Sequence, residues 1–244
     1  MRYGILGDIH GNLSALERVL DCLEDEGIDV LVSVGDVVGY GAAPGECISI
    51  LQDRKAVVVK GNHDAACVGE LDVRCFNPYA RVAVEWTESV LSTDEKRWLS
   101  QLPYFATLEH VQVAHGTLHQ PELFDYILSI SDANPSLDEM VRPTCFVGHS
   151  HIPLTVMRFE DEPDRTAYTF DSEIDLSETV RALINVGSVG QPRDENPLAA
   201  YAVYDATKRH ASILRTDYDI EAEVCRIHQA GLPDVLGERL RIGV

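Results

Sequence analysis

With 244 residues, 45% of them hydrophobic and 25% charged, the chain has material enough for a buried core. Its net charge of −20 excludes a broad basic face for long nucleic acids, which take Lys and Arg against their phosphates. No apolar run approaches the ~20 residues of a membrane span, the first residues lack a signal-peptide core, and the six scattered cysteines contain no C-x-x-C pair. One domain over residues 1–244, cytoplasmic and with reduced thiols, is expected.

Tyr3–Leu6 reads as a buried strand ending at Gly7. Leu13, Leu16, Val19, Leu20 and Leu23 share one helical face, with Asn12 or Ser14 as the cap. A second strand spans Asp29–Val34, a helix runs from Pro44 to Leu51, and a third strand covers Ala56–Val59. This β-α-β-α-β order predicts a parallel sheet. Helices follow over Pro78–Val90 and Ser92–Leu102, the second opening on a Ser92/Glu95 capping box. Strands are expected at 104–108, 111–114, 144–147, 154–159, 166–170, 182–186, 199–204 and 211–216, before a last helix at 219–229. The stretches 160–164 and 171–178 read as loops. The fold class is α/β: two sheets face to face in a sandwich flanked by helices.

Four segments share one pattern, a buried run, a glycine or turn, then metal-ligand residue types. They are Gly7-Asp8-Ile9-His10-Gly11, Gly35-Asp36, Gly61-Asn62-His63-Asp64 and Gly148-His149-Ser150-His151; Ala114-His115-Gly116 adds a fifth. In α/β sheets ligands collect where strand C-termini converge, and these polar residues fall there. Carboxylate and imidazole together suit manganese, iron, zinc, nickel or cobalt. Asp8 with His10, and His149 with His151, place paired ligands two residues apart. Asp36 stands alone after its strand, as a carboxylate shared by two ions could.

In this order the five motifs resemble the calcineurin-like metallophosphoesterase superfamily. The stretches Gly35–Gly41 and Asn185–Asp194 are similar to a bacterial branch described as diadenosine tetraphosphatase-like or phosphodiesterase-like. The resemblance implies a four-layer sandwich and two divalent transition-metal ions, with manganese favoured. It implies Asp8, His10 and His151 on one metal, Asn62, His115 and His149 on the other, and Asp36 between them. His63 takes the place of the group assisting the leaving alcohol, and Asp64 that of its orienting partner. The implied reaction is attack on a phosphate ester by a hydroxide bridging the metals.

Arg193 lies in the glycine-bounded 187–194 segment and either binds phosphate or pairs with Asp194 or Glu195. Tyr40 either stacks on a base or sugar, or packs in its own loop. His119 is read as a solvated loop histidine, and Asn185 and Ser188 as turn-holding residues. Specificity is expected from the loops 39–44 and 119–131. The substrate class is a small phosphodiester, a nucleotide or a dinucleotide polyphosphate. The competing readings are a serine/threonine protein phosphatase-like monoesterase and a non-catalytic metal-binding scaffold or nucleotide sensor. Nothing in the sequence speaks to oligomeric state.

Overall fold

A computed structural model describes residues 1–162 and 165–244. Strands β1 (Arg2–Leu6), β2 (Val30–Ser33) and β3 (Val57–Val58) run parallel, connected by helices α1 (Leu13–Glu26) and α2 (Pro44–Asp53). Asn12 caps α1, its Oδ1 accepting from the Ala15 amide at 3.0 Å. After β3 come α3 (Asn62–Cys67), α4 (Pro78–Val90) and α5 (Thr93–Ser100), the last opening on the Ser92/Glu95 capping box. The chain continues through β4 (Phe105–Thr107), β5 (Val111–Ala114), α6 (Ile130–Glu139), β6 (Thr144–Val147), β7 (Leu154–Phe159) and β8 (Thr166–Thr169). It ends with β9 (Glu173–Asp175), β10 (Thr179–Asn185), β11 (Ala199–Asp205), β12 (His210–Thr216), α7 (Ile220–Gln229) and α8 (Asp234–Glu238).

The strands form two six-stranded mixed sheets, ordered β3-β2-β1-β11-β12-β9 and β4-β5-β6-β10-β7-β8. Alternation along each strand divides the core into layers. Tyr3 and Ile5 of β1, Phe146 of β6, Ala182 and Ile184 of β10 and Tyr204 of β11 meet between the sheets. Leu16, Val19 and Leu23 of α1 pack on Leu31, Val58 and Val203 on the outer face of the first sheet. Ala133 and Leu137 of α6 cover Cys145, Val147 and Leu183 on the second. The result is the two-sheet sandwich with outer helices expected from the sequence. All six cysteines are free.

Three local differences have physical causes. Residues 171–178 are not simply a loop, because β9 pairs with β12 at the sheet edge. Ile174 is the one apolar residue of that strand, too little for an alternating pattern. Helix α6 is hidden in the sequence by Pro135 inside it. Asn62 starts a short helix where a turn was expected. Of the 160–164 loop, Pro163 and Asp164 lie outside the described residues.

Candidate metal centre

Six parallel strands, β1, β2 and β3 in one sheet and β5, β6 and β10 in the other, deliver the motif segments. Backbone bonds knit the loops together. The His10 amide donates to Asp36 O at 2.9 Å, Gly148 N to His115 O at 2.8 Å, and Gly190 N to Asp8 O at 3.0 Å. Asn185 Nδ2 donates to Gly148 O, and Ser188 Oγ to Asp8 O at 2.8 Å, so both hold the turns as anticipated. Two glycines are sterically required. A Cβ on Gly61 would meet Asp36 Oδ1 at 2.0 Å, and one on Gly190 would meet Ile9 O at 1.8 Å.

The sharp exits from the strands put Asp8, His10, Asp36, Tyr40, His149 and His151 at φ between 50° and 70°. Left-handed backbone costs a non-glycine residue on the order of 1–3 kcal/mol and concentrates at functional sites. Asp and His tolerate it better than most residues.

The structure brings the seven proposed ligands together, all buried. Asp8, His10 and His151 form one trio, Asp36, His115 and His149 another, and His10, Asp36 and His63 a third. His10 Nε2 lies 3.1 Å from His151 Nε2, and His151 Nε2 3.5 Å from Asp8 Oδ1. His115 Nε2 lies 3.0 Å from Asn62 Oδ1 and 3.1 Å from His149 Nδ1. Asp36 Oδ2 sits between the two groups, 3.6 Å from His10 Nε2 and 3.4 Å from His115 Nε2.

Hydrogen bonding assigns the ring protons. His10 Nδ1 faces Val38 O at 3.1 Å, His115 Nδ1 faces Val34 O at 3.0 Å, and His151 Nδ1 faces Gln191 O. A carbonyl only accepts, so each Nδ1 carries the proton. Burial holds His10 and His151 well below the usual imidazole range, so both are neutral. Their Nε2 lone pairs then point at each other with no proton between them. Such an arrangement is favourable only around a cation. His149 is likewise held down by burial. His115 differs: burial lowers it, but the Asp36 and Asp8 carboxylates outweigh burial and raise it to about 9. Burial would raise Asp36 too, yet His115 and His63 hold it well below the carboxylate range. Burial pushes Asp8 up.

His63 is enclosed by the rings of Tyr40 at 4.5 Å, His10 at 4.8 Å and Phe76 at 4.8 Å. Burial brings it down to about 4, and its Nδ1 is buried without a partner. Asp64 does not orient it. Its Oδ2 accepts from Gly61 N at 2.9 Å and its Oδ1 from Val38 N at 3.2 Å, because the third position of α3 turns the carboxylate back onto the helix start. Asp64 therefore ties two motif loops together through their backbones.

Tyr40 is buried and packs against the rings of His10 and His63, and it also borders the cleft. Its hydroxyl is 3.3 Å from Arg193 Nη2. Arg193 Nη2 also donates to Gln191 Oε1 at 2.9 Å, and its Nε is buried without a partner. Asp194 pairs with Arg215 instead. Among the described residues no ion pair includes Arg193, so its guanidinium charge is uncompensated beside the ligand cluster. His119 is solvated and pairs with Glu139 at 2.6 Å.

A cleft of about 310 Å³ opens onto Asn62, His63, His149 and Arg193. Its lining also includes Phe76, Phe124 and Tyr126, which the motifs did not single out. Tyr126 stacks on His149 with ring centroids 3.8 Å apart and planes at 19°. The 119–131 loop was marked as a pocket wall, but an irregular loop gives no periodicity by which to choose Tyr126. Lys60 was also missed. It is buried before the third motif, with Nζ 2.6 Å from Glu70 Oε2 and 5.1 Å from the Tyr104 ring centroid.

The calcineurin-like phosphoesterase family profile matches residues 1–179. An uncharacterised protein of Methanocaldococcus jannaschii is 34% identical over 244 residues, spanning 98% of this chain and 97% of its own. The phosphodiesterase YfcE of Escherichia coli is 27% identical over 215 residues, 84% of this chain and 88% of its own. The crystal structure of a metallophosphoesterase from Sphaerobacter thermophilus superposes with a TM-score of 0.87 at 37% identity, covering 100% of this chain and 99% of that one. Among the described residues no helix is long and apolar enough to cross a membrane. The chain belongs to the calcineurin-like phosphoesterase family.

Proposed function

We propose that this protein hydrolyses small phosphodiesters at a centre of two divalent transition-metal ions, manganese being favoured. The observation that carries the reading is the pair of bare Nε2 lone pairs of His10 and His151, 3.1 Å apart and closed by Asp8. Asp8, His10 and His151 would hold one ion, Asn62, His115 and His149 the other, and Asp36 Oδ2 lies where both could share it. Mixed carboxylate, amide and imidazole donors suit such metals. When bound, two such ions supply positive charge to the phosphoryl oxygens and make a water between them easy to deprotonate.

The chain's own residues do the rest. Arg193 presents an uncompensated guanidinium to the cleft and binds phosphoryl oxygen through its guanidinium hydrogens. His63 is neutral at pH 7. An unpartnered N–H at its buried Nδ1 would be costly, so the ring proton belongs on Nε2. From there the neutral ring donates a hydrogen bond to the departing ester oxygen while keeping its proton. Tyr40 and Phe76 fix the ring by packing.

Metal analysis of the purified chain, paired with hydrolysis of bis-p-nitrophenyl phosphate and p-nitrophenyl phosphate in manganese, tests the reading. About two ions per chain and preference for the diester are expected. A chain that binds no metal overturns it.

A further inference from the structure

A second cavity, of about 490 Å³, is left unused by the reaction above. Leu128, Ile130, Leu154, Val156, Tyr168 and Phe170 line it together with two serines. Among the described residues no charged side chain does, in a chain of net charge −20. Leu128, Tyr168 and Phe170 are 76%, 57% and 67% exposed, and the two aromatic rings meet edge to face at 5.7 Å. Contiguous exposed apolar surface of this kind marks a binding site.

Two stretches of backbone tie this cavity to the metal centre. Tyr126, stacked on His149 in the cleft wall, precedes Leu128 by two residues, which limits their Cα separation to about 7 Å. His151 precedes Leu154 by three, a reach of about 11 Å. In the β7–β8 pair Thr155 faces Thr169, so Phe170 comes opposite Leu154, at the end of the hairpin nearest His151. The cleft, at about 310 Å³, is at the small end of ligand sites. It has room for a phosphate and one compact group.

We propose that the cavity is a second substrate subsite, taking the alkyl ester group that stays on the phosphorus of a phosphodiester whose phosphate lies at the metal centre. The inference rests on the phosphoesterase reading and narrows its substrate to diesters carrying one apolar alcohol. The ester group would pass Tyr126 and lie against Leu128 and Phe170.

The test compares p-nitrophenyl alkyl phosphodiesters, methyl to hexyl, on the manganese-loaded full chain. Burying a methylene is worth roughly fourfold, so kcat/KM should rise at least ~10-fold from methyl to hexyl. Phe170→Ser and Leu128→Ser, both at exposed positions, should cut that gain below ~3-fold, with the methyl ester turned over as before. A flat chain-length profile, or a gain that survives both substitutions, overturns the subsite. Calorimetry with methyl and hexyl phosphate separates this failure from that of the phosphoesterase reading. Hexyl phosphate binding at least ~10-fold tighter, and losing the advantage in Phe170→Ser, sustains the subsite even in a protein that turns over neither ester. Equal binding of the two overturns it.

Discussion

Asp8, His10 and His151 on one side of Asp36, and Asn62, His115 and His149 on the other, are held by different means. Every member of the first set sits on left-handed backbone, whereas in the second only His149 does. Asn62 opens a helix and His115 follows a strand. Their electrostatics differ as well. His115, raised to about 9 by its carboxylate neighbours, carries a proton in the metal-free chain, and that proton substitutes for a cation among the second set. His10 and His151 are kept neutral by burial with their lone pairs opposed, and the only proton that burial favours in that set is on Asp8, to one side of them. The unfavourable energy of the empty chain therefore gathers in the first set. Two clusters that look alike as motifs differ in how much they gain from an ion.

The largest effect should come from stripping the metal. Turnover is expected to vanish, and a ligand present at 1,000 times its Kd contributes about 4 kcal/mol to stability. For a chain of this size that corresponds to a fall of about 10 °C in Tm. His151→Ala should remove more of this chelator-sensitive shift than His149→Ala; equal losses would break the asymmetry drawn above. Asp36→Asn comes next, because one carboxylate serves both sets. A rate loss of ~10³-fold or more is expected with fewer than two ions per chain, and unchanged metal content would reject its shared role. His63→Ala should leave both ions in place and cost ~10²-fold or more in kcat, most for poor leaving groups. Arg193→Ala should raise KM ~10-fold with little change in kcat, in keeping with one lost charge-assisted hydrogen bond; unchanged kinetics would make it structural. The smallest kinetic effect belongs to Asp64→Ala. Thermal unfolding should report about 1 kcal/mol of lost stability, with turnover per loaded chain within ~3-fold, since it caps backbone and does not touch the His63 ring.

Much of the candidate site was legible because each motif is local: strand, turn and ligand type follow one another within a few residues, and the parallel strands within each sheet bring such turns to one end. Asp8 and His149 are 141 residues apart, yet the His149 amide donates to both Asp8 oxygens, at 3.0 and 3.1 Å. What stayed hidden depends on partners that no spacing announces. Asp64 had a histidine next to it in sequence, but the Val38 amide, 26 residues away, competed for its oxygen and won. Tyr126 reaches His149 from an irregular loop whose Gln120 and Phe124 adopt left-handed backbone. Ser136 Oγ pins that loop by accepting from the Leu118 amide at 2.9 Å, and α6, which carries it, was masked by Pro135. Helix periodicity survives weak propensity; single long-range hydrogen bonds leave no periodicity to read.

The place of β1 has a consequence for biosynthesis. It pairs on one side with β2, a few dozen residues downstream, and on the other with β11, running Arg2↔Asp205 to Leu6↔Tyr201. A ribosome adding 5–20 residues per second takes roughly 10–40 s to make the chain between them. Throughout that interval the strand that delivers Asp8 and His10 is an unpaired edge, open to other nascent chains. The Gly187–Gly190 turn, which closes over Asp8 O, also emerges late. A stalled or clipped product ending before β11 would carry all seven proposed ligands without the frame that aims them, so capture of the proposed ions is expected only in the finished polypeptide.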